Sequence, residues 1–466
     1  MKRGAAELLL LPGAVALVYA NAFRGGFQFD DYNVIVGNPA VHSWGAFLAD
    51  LPHGIRPLLK LTYTLNWTSG GGIFGFHLLN AALHAANAVL LFRVARLLSA
   101  PAVSGFAALF AALLFAVHPV QTEAVTYISG RSVSLMSFFY LGSVLAWLRG
   151  RERGSVFLLR GASPLLFLLA MLSKEVALTL PFALLLLETA RGTAWRDALR
   201  AQSVHWGLLL LLAGLLLAHP GYGRLLESCF DIRGVPANLM TQIHGIAYLL
   251  SRLVSPHALN IDPDLPVFER VTPFVAGEAV FLGVLFSAGI AGLGRRSAAG
   301  FGILWFFLHL VPTNSFVPRL DVANERQLYL ASWGLFLALG AGADRIRERA
   351  GLLPVAAVAA SLAIALGILT ISRNGVYRSE IALWEDTAGK SPGKARAHNN
   401  LGYAYELAGR FGDAEASYLR AMSIDPGYVR ARENLARLAL RRNRRSGIFS
   451  GAGIAREGLH WAPNGR

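Results

Sequence analysis

The chain has 466 residues, 54% of them hydrophobic and only 15% charged, with a net charge of +15 and a single cysteine, Cys229. So few charged side chains cannot clothe a water-soluble globule of this size, and so much apolar content excludes a disordered chain. One cysteine excludes an intramolecular disulfide framework and a cysteine-built metal cluster. The excess arginine is explained by the cytoplasmic loops and lipid contacts of a polytopic membrane protein before nucleic acid is invoked.

Apolar stretches near the ~20 residues that span hydrocarbon recur through residues 1–372. A first helix over 1–22 resembles a signal peptide, but the many later spans favour its retention. With the opening MKR cytoplasmic, a helix over 76–91 returns to Arg93 and Arg96, one over 105–117 exits at His118, and one over 132–148 returns to Arg149, Arg151, Arg153 and Arg160. The next basic cluster, Arg191, Arg196 and Arg200, is cytoplasmic too. Two short helices, 164–172 and 176–187, are therefore expected between the clusters, with Ser173, Lys174 and Glu175 at their far turn. A charged turn at that depth is tolerable only against a polar cavity.

The stretch 204–218 exits, 242–253 reads as interfacial, and 274–292 returns to Arg295 and Arg296. Residues 300–311 exit, 328–341 return to Arg345, Arg347 and Arg349, and 353–371 exit last, although Arg373 and Arg378 just beyond them run against the rule. The expected fold is all-α: a bundle of about eleven transmembrane helices, N-terminus inside and C-terminus outside.

From residue 395 the apolar runs give way to a 34-residue pattern: Leu401, Gly402, Tyr405, Ala414, Tyr418, Ala421 and Pro426 occupy the packing positions of a tetratricopeptide repeat. Trp384 and Pro392 suit the second helix of a preceding unit, and Leu435 and Ala436 the first helix of a following one. So short an array needs support from the membrane domain or a partner, and serves either as a structural cap or as a docking surface. The expected division is a membrane domain over 1–372 with a large outer loop at about 23–75, a repeat module over 373–440, and a basic disordered tail over 441–466.

On this topology the polar clusters collect on the face opposite the arginine-rich loops. Asp30 and Asp31 follow the first helix. Adjacent carboxylates there raise each other's pKa and suit a base or a cation site, or else they form a solvated turn. Arg56 and Lys60, four residues apart, share one helix face, directed at a phosphate or snorkelling to lipid headgroups. His118, Glu123 and Arg131 lie in HPVQTEAVTYISGRS, where the histidine has an ordinary structural reading and Glu123 suits a helix N-terminus, with Arg131 as its partner. Lys174 and Glu175 either face a cavity or form an ion pair securing their turn. Glu325, Arg326 and Tyr329 stand at a helix entrance, where interface anchoring is the alternative. No GxxxxGK[ST], HExxH or GxSxG motif is present, so nucleotide hydrolysis, zinc proteolysis and serine hydrolysis lack their usual support.

The segments FRGGFQFDDYNVIVGNPAV, RPLLKLTYTLNW, LLFAVHPVQTEAVTYISGRS, LLAMLSKEVALTLP and NSFVPRLDVANERQLYL, with the repeat behind them, resemble the transmembrane and tetratricopeptide-repeat containing proteins. These fall within the GT-C class of lipid-linked-sugar glycosyltransferases. The resemblance implies a polyprenyl-phosphate-linked hexose, mannose in kind, transferred with inversion to a hydroxyl, and in eukaryotic members to proteins of the secretory pathway. It implies Asp30 as base, Asp31 as orienting group, and Arg56 and Arg326 as partners of the departing phosphate. It leaves Lys60, His118, Glu123, Arg131, Lys174, Glu175, Glu325 and Tyr329 as further substrate-site candidates. No cofactor and no metal are expected; two carboxylates with waters are too few certain ligands. The expected partners are lipid-linked donor, protein or peptide acceptor and membrane lipid, in a bacterial inner membrane with site and C-terminus facing the periplasm, or the endoplasmic reticulum lumen in a eukaryote. A transporter or flippase is the alternative suggested by intramembrane charge, though no repeated halves are visible, and a non-catalytic scaffold is the third reading.

Overall fold

The computed structural model describes residues 2–98 and 103–445, with side chains described from 9 to 98 and from 103 to 441. Among these residues the chain is helical and irregular, with no β-strand. The chain opens with α1 (Lys2–Val18), and the loop region after it carries α2 (Trp44–Asp50) and α3 (Pro57–Thr68). The membrane core follows with α4 (Gly72–Leu97), α5 (Gly105–Val117), α6 (Thr122–Val125), α7 (Arg131–Arg153), α8 (Ser163–Ser173) and α9 (Leu180–Ala190). Next come α10 (Trp195–Ala201), α11 (Ser203–Ala218), α12 (Pro220–Phe230), α13 (Val235–Val254), α14 (Pro273–Gly294), α15 (Ala298–Leu310), α16 (Leu328–Ala350) and α17 (Leu352–Val376). The C-terminal module is α18 (Glu380–Lys390), α19 (Ala395–Leu407), α20 (Phe411–Ile424) and α21 (Val429–Arg445).

The predicted helices are present, with one correction. Four described helices, α4, the segment Ile128–Arg153, α14 and α17, are long and apolar enough to cross a bilayer, or six spans if two bent pairs each count as one, with shorter apolar helices beside them; the expected count of eleven is not confirmed. The basic tail expected to be disordered from 441 starts inside α21, whose helix runs to Arg445; the rest of that stretch lies outside the described residues. The stretch expected at the interface, 242–253, is part of the 20-residue α13, which is not among the helices apolar enough to cross.

One apolar core joins α1, α4, α5, α7, α8, α9, α15, α16 and α17 through residues such as Leu11, Leu91, Phe115, Trp147, Phe167, Trp305, Trp333 and Leu366. α15 and α16 meet backbone to backbone: a Cβ on Gly302 would strike the Gly334 carbonyl, and one on Gly334 the Gly302 carbonyl. That contact fixes the entrance of α16, where Arg326 lies. At the ends of α16 and α7, Arg347 lies 6.0 Å from the Phe106 ring and Arg151 is 3.1 Å from Glu188.

At the opposite end the chain breaks its helices. Pro119 denies α5 a continuation and turns it by 54° into the segment Pro119–Val125. Lys174 leaves helical geometry with ψ of 134° and separates α8 from α9, at the turn predicted from its charges. The C-terminal module docks on this broken end. Arg373 at the end of α17, the residue that ran against the positive-inside pattern, is buried and donates to Asp386 of α18 at 2.8 Å.

Candidate functional site

The two carboxylates of the first loop have separate environments. Asp31 is wholly buried and accepts from the amides of Gln28 at 3.0 Å and Ser129 at 2.8 Å, and from the Ser129 hydroxyl. It staples the loop to the turn before α7. Burial pushes its carboxyl up to about 7 against those hydrogen bonds, and the neighbouring Asp30 charge contributes least. Asp30 is half-buried and borders an open cleft of about 300 Å³. Burial raises its carboxyl pKa, opposed chiefly by the Arg326 guanidinium. The mutual repulsion expected from adjacency is thus secondary to desolvation at both positions.

Around Asp30 the cleft is walled by Phe29, Glu123, Tyr127, Ile261, Asp262, Asp321, Asn324, Arg326, Trp384 and Arg396. The Tyr127 hydroxyl accepts from the Asp30 amide at 2.9 Å. Glu123 sits at the start of α6 and is buried; it accepts from the Arg326 amide at 3.0 Å and lies 3.4 Å from its guanidinium, so it aims that cation. The turn that carries Glu123 is compact enough that a Cβ on Gly130 would strike the Glu123 carbonyl. Asp262 and Asp321 are both held by Arg396, the former at 2.7 Å through Nε, and Lys394 also binds Asp262. Although burial opposes it, Arg396 keeps the Asp321 carboxyl below the ordinary range. Among the described residues no group of three or more histidine, cysteine or acidic side chains is gathered as for a metal ion.

Arg326 and Asn324 also border a second pocket, lined by Val133, Met136, Lys174, Val176, Thr179, His309, Thr313, Arg319, Gln327 and Leu330. Three cations, Lys174, Arg319 and Arg326, line it, and no carboxylate does. Burial and then the Arg326 charge push the Lys174 ammonium well below its ordinary value, and the same two causes lower Arg319. His309 points Nδ1 at the Trp305 carbonyl at 2.8 Å, and its Nε2 has no hydrogen-bond partner among the described residues. The cavity therefore offers positive charge beside apolar walls, suited to a phosphate attached to a lipid.

The other candidates fall away from these walls. Arg56 meets Glu175 with two hydrogen bonds, 2.9 and 2.6 Å, so Glu175 does not pair with Lys174. Burial alone would raise the Glu175 carboxyl, but the Arg56 guanidinium holds it at about 2. Lys60 binds Asp50 at 2.5 Å. The pairing expected between Arg131 and Glu123 is absent: Arg131 is fully buried and donates to Asn80 at 2.7 Å and to the Phe76 carbonyl at 2.9 Å, beside the rings of Tyr63 and Phe76. His118 accepts from the Val120 amide through Nδ1 and reaches the Leu253 carbonyl at 3.1 Å through Nε2, pinning the bend after α5. Tyr329 is buried, bonding His84 at 2.9 Å and Asn87 at 3.0 Å. Glu325 accepts from the Asn260 amide and faces Arg373 at 3.7 Å; burial lifts its carboxyl to about 7 despite that guanidinium.

Sequence reasoning did not single out Tyr127, Asp262, His309, Arg319, Asp321 or Arg396. Arg319 and Asp321 lie in the same VPRLDVANER run as Arg326, and their charge in an otherwise apolar region was the available signal.

Fold and site define a polytopic helical membrane protein in which the C-terminal module walls the cleft of Asp30; residues 395–428 match the tetratricopeptide repeat model. The chain is 27% identical to Protein O-mannosyl-transferase TMTC3 of Mus musculus, over 94% of this chain and 53% of that protein. It is 26% identical to Protein O-mannosyl-transferase F38B6.6 of Caenorhabditis elegans, over 91% of this chain and 64% of that one. With Protein O-mannosyl-transferase Tmtc2 of Drosophila melanogaster it shares 33% identity over 55% of this chain and 30% of the relative. The chain thus spans between about half and two thirds of the length of the first two relatives.

Proposed function

We propose that this protein is an inverting membrane glycosyltransferase that moves a hexose, mannose in kind, from a polyprenyl-phosphate donor to a serine or threonine hydroxyl of proteins on the extracytoplasmic face. The observation that carries this reading is the shared wall: Arg326 borders both the acid-bearing cleft of Asp30 and the cation-lined cavity of Lys174 and Arg319. The names of the relatives support a protein acceptor and mannose.

In this reading the donor phosphate lies against Lys174, Arg319 and Arg326, with the polyprenyl chain along Val133, Met136, Val176 and Leu330. The acceptor hydroxyl enters beside Asp30. Its oxygen attacks the anomeric carbon while the Asp30 carboxylate takes its proton; the bond from that carbon to the phosphate oxygen breaks, and lipid phosphate leaves with the electron pair. Arg326, held by Glu123, stabilises the charge that develops on the leaving phosphate. Gathering of the arginine-rich ends at the other end of the bundle supports a site facing the periplasm, or the endoplasmic reticulum lumen if the source is eukaryotic.

The test uses purified protein in lipid, radiolabelled polyprenyl-phosphate mannose and a pool of extracytoplasmic proteins. Wild type is expected to transfer label to protein and Asp30→Asn to lose that transfer. Equal transfer by both would remove Asp30 as base, and label moved across the bilayer without becoming covalent would favour a transporter.

A further inference from the structure

Phe29, immediately before Asp30, is one of only three described non-glycine residues with positive φ, at +45°. A bulky residue in that region is strained and is held there by its surroundings. What holds it comes from the C-terminal module. The Phe29 amide donates to the Glu380 carboxylate in the first turn of α18, and the ring meets Trp384 edge to face at 5.1 Å. Trp384 is 1% exposed and belongs to the apolar cluster of Ala397, Leu401 and Ala404, which are residues of the repeat itself. Next to Phe29, the Gln28 side chain donates to the Tyr377 carbonyl, just ahead of α18. On the membrane-domain side, Asp31 and Ser129 fix the same turn.

We propose that α18 is a positioning clamp for Asp30: Glu380 and Trp384 hold the left-handed backbone of Phe29 and thereby direct the neighbouring carboxylate into the cleft. This rests on the glycosyltransferase reading for its consequence, but the clamp is a mechanical claim that stands apart from it. The module is then part of the reaction centre rather than a recruiting arm attached to it. A shift of α19 on binding a protein would be transmitted through Trp384 to the base.

The full chain in lipid, as wild type, Glu380→Ala, Trp384→Ala and the conservative Trp384→Phe, is compared in two ways. Amide hydrogen exchange is followed at residues 28–31, with α20 as internal reference; sugar transfer is resolved into kcat, donor KM and pH profile. Glu380→Ala and Trp384→Ala are expected to speed exchange at 28–31 by about tenfold or more, the scale set by releasing the strained turn, while α20 is unchanged. In the same variants kcat falls, donor KM holds, and the acidic limb of the profile moves to lower pH as Asp30 gains water; Trp384→Phe recovers most of each. Unchanged exchange at 28–31 would overturn the clamp, and so would faster exchange with kcat and the acidic limb unaltered. If wild type transfers no sugar, the functional reading fails, and the exchange result by itself decides whether α18 holds the turn.

Discussion

The two cavities that meet at Arg326 are opposites in charge. The cleft of Asp30 has four carboxylates, Asp30, Glu123, Asp262 and Asp321, against Arg326 and Arg396. The cavity of Lys174 has three cations and no acid. Their construction differs as well. The acid-rich cleft draws its walls from the first loop, from α6 and from the C-terminal module, segments hundreds of residues apart. The cation-lined cavity is framed by helix ends of the membrane domain. On the proposed function this contrast lets one site hold an anionic, lipid-bearing donor and a neutral hydroxyl without exchanging them: a phosphate is attracted to one compartment and repelled by the other, and of the charged side chains only Arg326 lines both.

The sharpest way to break this division is Asp30→Asn. Loss of a positioned base is expected to lower kcat by about 10²- to 10⁴-fold with donor binding retained, measured as transfer alongside binding of labelled donor. Next comes Arg326→Ala, which removes the common wall. Transfer should be lost, and Glu123 is left buried without its cation, a cost of about 3–5 kcal/mol visible as a lower Tm. Lys174→Met and Arg319→Met act on one compartment only: donor KM should rise about tenfold, the loss of one charged hydrogen bond, while acceptor KM is unaltered.

A smaller effect concerns Asp31, whose folded carboxyl is raised to about 7 from an ordinary value of 3.8. A raised folded pKa means that folding favours the protonated form, so the stabilisation present at low pH is lost as pH rises through about 7. Tm should decline between roughly pH 4 and 7, and Asp31→Asn should flatten that slope. Asp30, raised in the same direction, has to be ionised to act, so the transfer rate should fall as pH drops through its elevated value. Least of all is Lys60→Met: its pair with Asp50 is 20% and 25% exposed, and about 1 kcal/mol or less is at stake, with transfer unaffected.

How far all this is legible in the sequence depends on the range of the interaction. The turn at Ser173–Glu175 could be read because charges inside an apolar run have few other places to be, and the repeat could be read because a 34-residue period repeats its packing chemistry. Asp30 stood out as an acid near a helix end. By contrast, Arg56 was expected at a phosphate, and its engagement with Glu175 joins residues 119 apart in the chain. Arg396 occupies none of the packing positions of the repeat, and the fold brings it to Asp262, 134 residues upstream. Arg373 looked like an exception to the charge rule, and its burial against Asp386 and Glu325 shows a structural joint between membrane domain and module. Local pattern reports helices, turns and repeats; which charges neutralise one another is set by tertiary packing.

Donor binding and sugar transfer, measured together for Asp30→Asn and Lys174→Met in one lipid preparation, decide whether labour is divided across Arg326. Asp30→Asn is expected to bind polyprenyl-phosphate mannose as wild type does but to transfer sugar about 10²-fold or more slowly, whereas Lys174→Met is expected to bind it weakly and to regain transfer at high donor concentration. Loss of donor binding in Asp30→Asn, or normal transfer by it, would refute that division.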